Sequence, residues 1–195
     1  PSINVAVLGL GTGSVNCLLR PADHVDYYEI DPDIVRIATN PAIFSYLDTC
    51  QTDKKIILGD ARLKLQNAPD KSYDLMLIDV FSSDNIPMHL MTVESVRLAL
   101  SKIKDDGLIV FHITSRYYDL EPEVSAILAE IGVPGYFYMN RSREIDGTPY
   151  RYNVAQSIVT TQNKTLQDQL TSTGWNPAKK IEGLVPWTDD FANPL

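Results

Sequence analysis

The sequence predicts an α/β fold: a doubly wound, mostly parallel sheet of seven strands, with helices on both faces and the last strand antiparallel. Three observations carry this. Val5-Ala6-Val7-Leu8 is a continuous apolar run that goes straight into Gly9-Leu10-Gly11-Thr12-Gly13, as a strand buried on both faces and followed by a sharp turn would. Strand-like runs then alternate with helical patterns through five strands, which requires parallel pairing by right-handed crossovers. Polar residues stand just past the apolar runs, at Glu29, Asp60 and Asp79, where open sheets of this type hold ligands.

The elements follow in order. Ser14 to Leu19 reads as a short helix stopped by Pro21, and Val25 to Ile30 as the second strand. Asp31-Pro32-Asp33 opens a helix with an Asp cap, a Pro in its first turn, and Ile34, Ile37 and Ala38 on one face. Pro41 interrupts it, and Ile43, Phe44 and Leu47 continue an apolar face. Lys55 to Leu58 is the third strand; Gly59-Asp60-Ala61 leads into a helix with Leu63 and Leu65. Tyr73 to Ile78 is the fourth strand, and Val80 to Leu90 a loop marked by Ser82-Ser83-Asp84-Asn85 and Pro87. Thr92 caps a helix with Val93, Val96, Leu98 and Leu100 inward; Asp105-Asp106-Gly107 is a turn; Leu108 to Ile113 is the fifth strand. Glu121-Pro122-Glu123 starts a helix through Ile131. Tyr136–Met139 and Val154–Thr160 are the last two strands, joined by a polar connection over Asn140 to Arg151. A final helix covers roughly Lys164 to Leu170, and the tail carries Trp175, Trp187 and Asp189-Asp190.

Composition narrows the function. The 195 residues suit a single domain, 1–195, with a sizeable core. The formal net charge of −8 argues against a nucleic-acid surface and is compatible with cationic partners such as polyamines. No apolar stretch approaches the ~20 residues of a membrane helix, and no secretory signal pattern is present. Cys17 and Cys50 stand alone, without Cys or His at zinc spacing, so no metal is expected; they read as two buried thiols in a reducing, cytoplasmic setting. The chain begins at Pro1, almost on the first strand, as a processed or trimmed fragment would.

Candidate site residues follow from position and chemistry. Gly9, Gly11 and Gly13 are spaced G-x-G-x-G, which fits a nicotinamide dinucleotide less well than an adenosyl sulfonium, where no pyrophosphate needs a helix end. Glu29 ends the second strand, where a carboxylate accepts two hydrogen bonds from ribose hydroxyls. Asp60 is either an acceptor for an adenine amine, with Ala61 leaving room for the ring, or a helix cap. Asp79, across the switch point from the glycine turn, can hold a cationic amine or take its proton; an alkyl amine with a reference pKa near ~10 is not nucleophilic until it loses one. Asp84 is a second amine anchor or a turn residue. His112, in an apolar strand, reads as a core histidine, and His89 as a residue that orders the loop. Tyr117, Tyr118, Trp187, Asp189 and Asp190 form an aromatic-and-carboxylate set that either lines a pocket for a cation or packs.

Gly9-Leu10-Gly11-Thr12-Gly13, Tyr28-Glu29-Ile30-Asp31, Gly59-Asp60-Ala61 and Asp79 with Ser82-Ser83-Asp84 together resemble the spermidine synthase (aminopropyltransferase) family. Asp79 to Pro87 and Trp187-Thr188-Asp189-Asp190-Phe191 look most like the spermidine-synthase-like domains that some bacteria fuse to membrane segments. The resemblance implies the class I S-adenosylmethionine-dependent methyltransferase fold, with Rossmann-like topology. It implies that Glu29 binds the ribose, that Asp60 binds the adenine, that Asp79 is the base or amine anchor, and that Asp84 helps hold the diamine. The implied reaction is transfer of an aminopropyl group from decarboxylated S-adenosylmethionine to a diamine such as putrescine. The resemblance allows a homodimer. The chain departs from the family in two ways: Thr12 stands where that family has an acidic residue, and the N-terminal β-hairpin domain is absent. Methyl transfer from S-adenosylmethionine to a small molecule, and a non-catalytic nucleoside- or polyamine-binding domain of a membrane protein, are the alternatives.

Overall fold

The computed structural model describes residues 1–80, 87–115, 118–141, 154–179 and 181–191. Eight strands are formed among the described residues: β1 (Asn4–Leu8), β2 (His24–Glu29), β3 (Asp53–Leu58), β4 (Tyr73–Ile78), β5 (Ile103–His112), β6 (Gly135–Arg141), β7 (Val154–Thr161) and β8 (Asn176–Pro177). They make one sheet in the order β3-β2-β1-β4-β5-β7-β6-β8. The pairs from β3 through β5 are parallel; β7 runs antiparallel to β5 and β6, and β8 antiparallel to β6. The helices are α1 (Pro32–Ala38), α2 (Tyr46–Thr49), α3 (Ala61–Leu65), α4 (Val93–Lys102), α5 (Glu121–Ile131) and α6 (Lys164–Ser172).

The central position of β1 follows from its residue pattern. Side chains alternate across a strand, so Val5 and Val7 enter one core layer and Ala6 and Leu8 the other, and all four are almost fully buried. The first layer, with Val25, Tyr27, Ala38 and Leu47, lies beneath α1 and α2. The second, with Met76, Ile109, Val96 and Ile127, lies beneath α4 and α5. Only a strand that is apolar on every residue fits between two such layers. Strand order reverses between β1 and β4, so the Gly9–Gly13 turn emerges at the crevice where the two halves of the sheet diverge.

Caps act where the sequence predicts them. The Asp31 side chain accepts from the Asp33 amide, and Thr92 accepts from Ser95 at the start of α4. Four expectations are corrected. The edge strand β8 makes the sheet eight-stranded rather than seven-stranded. The helix after the glycine turn is a 3-10 segment, Ser14–Leu18. Asp105-Asp106-Gly107 is not a turn: β5 starts at Ile103 and passes through it, with the β4–β5 register shifting between Tyr73 and Leu75 to absorb the irregular residues.

The fourth correction concerns the cysteines. Cys17 and Cys50 are not buried thiols; they form a disulfide with Cα atoms 5.1 Å apart, and Cys17 is exposed. Their separation of 33 residues hides a contact made by packing. Asn16 is fully buried and donates from Nδ2 to the Cys50 carbonyl, while Thr52 Oγ1 donates to the Asn16 carbonyl. These bonds clamp the 3-10 segment to the end of α2. Among the described residues, no helix is long and apolar enough to cross a membrane.

Candidate active site

The glycine turn is shaped by two different pressures. Gly9 has φ +98°, and a Cβ there would overlap the carbonyl oxygen of Asp79; Gly13 has φ +80°, and its Cβ would press into the Leu47 side chain at 2.6 Å. Both glycines therefore serve close packing as well as the left-handed backbone. Gly11, with φ +54°, has nothing within 4 Å of the Cβ position, so its outer face is open to a ligand.

The hydrogen-bond ladders run past the strand ends and fix the turn's neighbours. The Gly9 amide donates to the Tyr28 carbonyl (2.8 Å), the Asp79 amide to Leu8 (2.9 Å) and the Gly59 amide to Glu29 (2.8 Å). Glu29, Gly59-Asp60 and Asp79 are thereby arrayed around Gly9 at the carboxyl edge of the sheet. Glu29 is 8% exposed, and its Oε2 accepts from the Leu10 amide and its Oε1 from Asp31, both at 2.9 Å. A carboxylate offers about four lone-pair directions; two hold the backbone, and two are left for hydroxyl donors.

Asp60 performs the capping role that the sequence allows, its Oδ1 accepting from the Leu63 amide at 2.9 Å. Its Oδ2 lies 2.9 Å from His89 Nε2, so His89 ties the segment after Pro87 to the start of α3. A small cavity of about 100 Å³ opens here, lined by Gly9, Glu29, Asp60, Ala61, Val80 and His89, among others. Its floor is apolar and its rim carries two carboxylates, which suits a nucleoside: a flat ring against Ala61 and hydroxyls toward Glu29.

Asp79 and His112 form a pair that the sequence reading did not anticipate. His112 is not a core histidine: its side chain is 36% exposed, and its Nδ1 lies 2.7 Å from Asp79 Oδ1. In the β4–β5 register Ile78 faces Phe111, so the next residue of each strand, Asp79 and His112, meet. Asp79 raises the His112 pKa above the usual imidazole value through this hydrogen bond; partial burial opposes the effect and the carboxylate charge adds to it. A signal was present in the sequence, since each is the first polar residue after an apolar run on adjacent strands. Neither lies in a cluster of metal-binding type among the described residues.

The remaining candidates separate. Asp189 does not line the cavity: Arg62 donates to both of its carboxylate oxygens and Thr92 Oγ1 to Oδ1. Arg62 also donates to the His89 carbonyl at 3.0 Å, so the contact braces the cavity wall from outside. Sequence reasoning missed Arg62, which carries no motif. Trp187 is buried in the core, and its carbonyl accepts from the Val93 amide. Asp84 and Tyr117 lie outside the described residues.

This strand order, with a glycine turn after β1 and acidic residues ending β2 and β4, is the class I methyltransferase fold, Rossmann-like in topology. Solved structures of spermidine synthases and of methyltransferases share this fold. A probable spermidine synthase from Corynebacterium glutamicum superposes with a TM-score of 0.67 over 100% of this chain and 75% of that chain, at 17% identity. Spermidine synthase from Thermotoga maritima gives 0.64 over 98% and 66%, at 15% identity. Human methyltransferase-like protein 13 gives 0.59 over 95% and 87%, at 19% identity. By sequence, the chain is 35% identical to a polyamine aminopropyltransferase of Vibrio vulnificus over 124 residues, 60% of this chain and 40% of that protein. It is also 26% identical to an eEF1A lysine and N-terminal methyltransferase of Xenopus laevis over 144 residues, 66% of this chain and 20% of that protein. The chain thus spans less than half the length of the curated relatives it matches. No protein-family model matches it.

Proposed function

We propose that the chain is the donor-binding and transfer domain of a polyamine aminopropyltransferase-like protein. In this reading Glu29 holds the ribose of decarboxylated S-adenosylmethionine, the Asp60–Ala61 corner receives its adenine, and Asp79 anchors the amine of a diamine such as putrescine. Asp84 and Tyr117, which lie outside the described residues, are assigned to the diamine. The observation that carries it is the position of Asp79: a half-exposed carboxylate beside the glycine turn, next to Val80, which lines the cavity with Glu29 and Asp60. A carboxylate there faces the reacting end of a bound sulfonium and is matched to a cationic acceptor. The sulfonium is already a good leaving group, so the site's task is to orient and desolvate the amine. The sequence match to the Vibrio aminopropyltransferase supports the same reading.

A second reading is methyl transfer to an amine from S-adenosylmethionine itself. It is favoured by Thr12, which brings no charge to the aminopropyl end, and by methyltransferases among the relatives. A cytoplasmic setting belongs to either reading, and a reducing compartment would then open the Cys17–Cys50 bond.

The test is product analysis with the full-length protein, given labelled donor and putrescine. Methylthioadenosine from the decarboxylated donor supports aminopropyl transfer. S-adenosylhomocysteine from the ordinary donor overturns it in favour of methyl transfer. Nucleoside binding without either product assigns a binding domain.

A further inference from the structure

We propose that His112 is the proton acceptor of the transfer reaction, with Asp79 as the group that orients it and holds the acceptor ammonium. The inference rests on the reading of the site as one that moves an alkyl group from a sulfonium to an amine. It does not depend on whether that group is aminopropyl or methyl.

The geometry separates the two roles. Asp79 Oδ1 meets His112 Nδ1 at 2.7 Å, a length at which the nitrogen carries the proton and the carboxylate accepts it. Fixing the proton on Nδ1 leaves the lone pair on Nε2, which makes no hydrogen bond to any described residue. Asp79 Oδ2 remains for the ammonium. The side chains are 36% and 42% exposed, so both are accessible from the crevice. The other two histidines are committed. His24 bridges Asp26 and Asp53 at the amino end of β2, and the Nε2 of His89 is taken by Asp60.

Position supports the assignment. The pair stands at the carboxyl ends of β4 and β5, with the Asp79 backbone packed on Gly9. The hydrogen-bond partner of His112 is Asp79, just past β4, and its register partner on β7 is the uncharged Ser157. The carboxylate therefore sets the basicity of the ring, and it raises it, which suits the transfer of a proton from an alkylammonium.

The steps balance. Nε2 takes one proton from the ammonium held by Asp79, giving imidazolium and a neutral amine. The amine lone pair forms the new N–C bond as the C–S bond breaks, and its electrons pass to sulfur, leaving a neutral thioether. The product leaves as a secondary ammonium, and His112 returns its proton to solvent.

The test uses the full-length protein, H112Q and D79N. H112Q is expected to lower kcat by about 10²–10³-fold, with the KM for the amine and the Kd for methylthioadenosine within about threefold of wild type. The rise of kcat with pH that His112 governs is expected to disappear. D79N is expected to raise the KM for the amine and to move that rise to lower pH. A second readout needs no turnover: the ring carbon signals of His112 are expected to shift when 1,4-diaminobutane is added to the methylthioadenosine-loaded protein. Full kcat in H112Q with an unchanged pH profile overturns the proposal. So does a His112 signal that ignores the diamine. A methylated amine as product would sink the aminopropyl reading and leave this one standing.

Discussion

Gly9 and Asp79 approach so closely that no side chain fits between them: a Cβ on Gly9 would overlap the Asp79 carbonyl oxygen. The contact joins the glycine turn to the strand end that carries the Asp79 carboxylate. Gly9→Ala must separate β1 from β4 and hold alanine at φ +98°. It is expected to cost more than about 3 kcal/mol, since overpacking and backbone strain add. Gly11→Ala meets only the strain of a positive φ and is expected to cost about 1–2 kcal/mol. Urea midpoints of the two variants check the order; equal losses would mean that the Asp79 contact does not matter.

Glu29 is a brace before it is a ligand. Glu29→Gln keeps one acceptor oxygen and turns an amide NH₂ toward a backbone N–H. It is expected to cost about 1–3 kcal/mol of stability and to weaken methylthioadenosine binding roughly 10–100-fold. Calorimetric titration beside urea unfolding measures both. Unchanged affinity would remove Glu29 from the nucleoside site.

The Cys17–Cys50 bond closes a loop across 33 residues of sequence. Restriction of the unfolded chain by such a loop stabilises by about 3–4 kcal/mol. For a chain of this size that corresponds to a fall of roughly 10 °C in Tm on reduction. Scanning calorimetry with and without a dithiol reductant tests this, with the Cys17→Ser/Cys50→Ser double variant expected to melt low in both. An intact wild type that ignores reductant would show that the bond contributes nothing.

Acid should release the contact between Arg62 and Asp189. Hydrogen bonds from Arg62 hold the Asp189 carboxyl below its ordinary pKa, aided by Thr92 and opposed by burial. Its stabilisation is therefore present above the unfolded-state value of about 3.9 and is lost as pH falls through the lower folded value. Asp189 is 42% exposed, so the effect is less than about 1 kcal/mol in moderate salt. Asp189→Asn is expected to be less stable than wild type at pH 6, with the gap closing at lower pH. A gap that stays constant would mean that charge is not its source.

Much of the frame is legible in the chain because buried parallel strands are apolar at every position. Val5–Leu8 and Leu108–Phe111 need no partner to be recognised, and Asp31 and Thr92 announce their helices through local side-chain bonds. The misses share one cause. His112 is polar in an apolar strand, and whether it is core or site depends on how far β5 runs before the sheet ends. Register with β4 decides that, and register is a tertiary property. Cys17 and Cys50 meet because Asn16 is buried against α2, again a long-range contact. Asp189 was legible as a carboxylate near the site, but not as the partner of Arg62, because nothing local points across 127 residues.

That last separation bears on biosynthesis. Arg62 carries the His89 carbonyl on one side and Asp189 on the other, so the wall of the cavity is braced by a segment made 127 residues after Arg62. The glycine turn, Glu29 and Asp60 are all made before Arg62, yet the brace on the wall beside them is complete only once Asp189 has been translated. A nascent chain halted before that point would carry its glycine turn without the brace on the cavity wall.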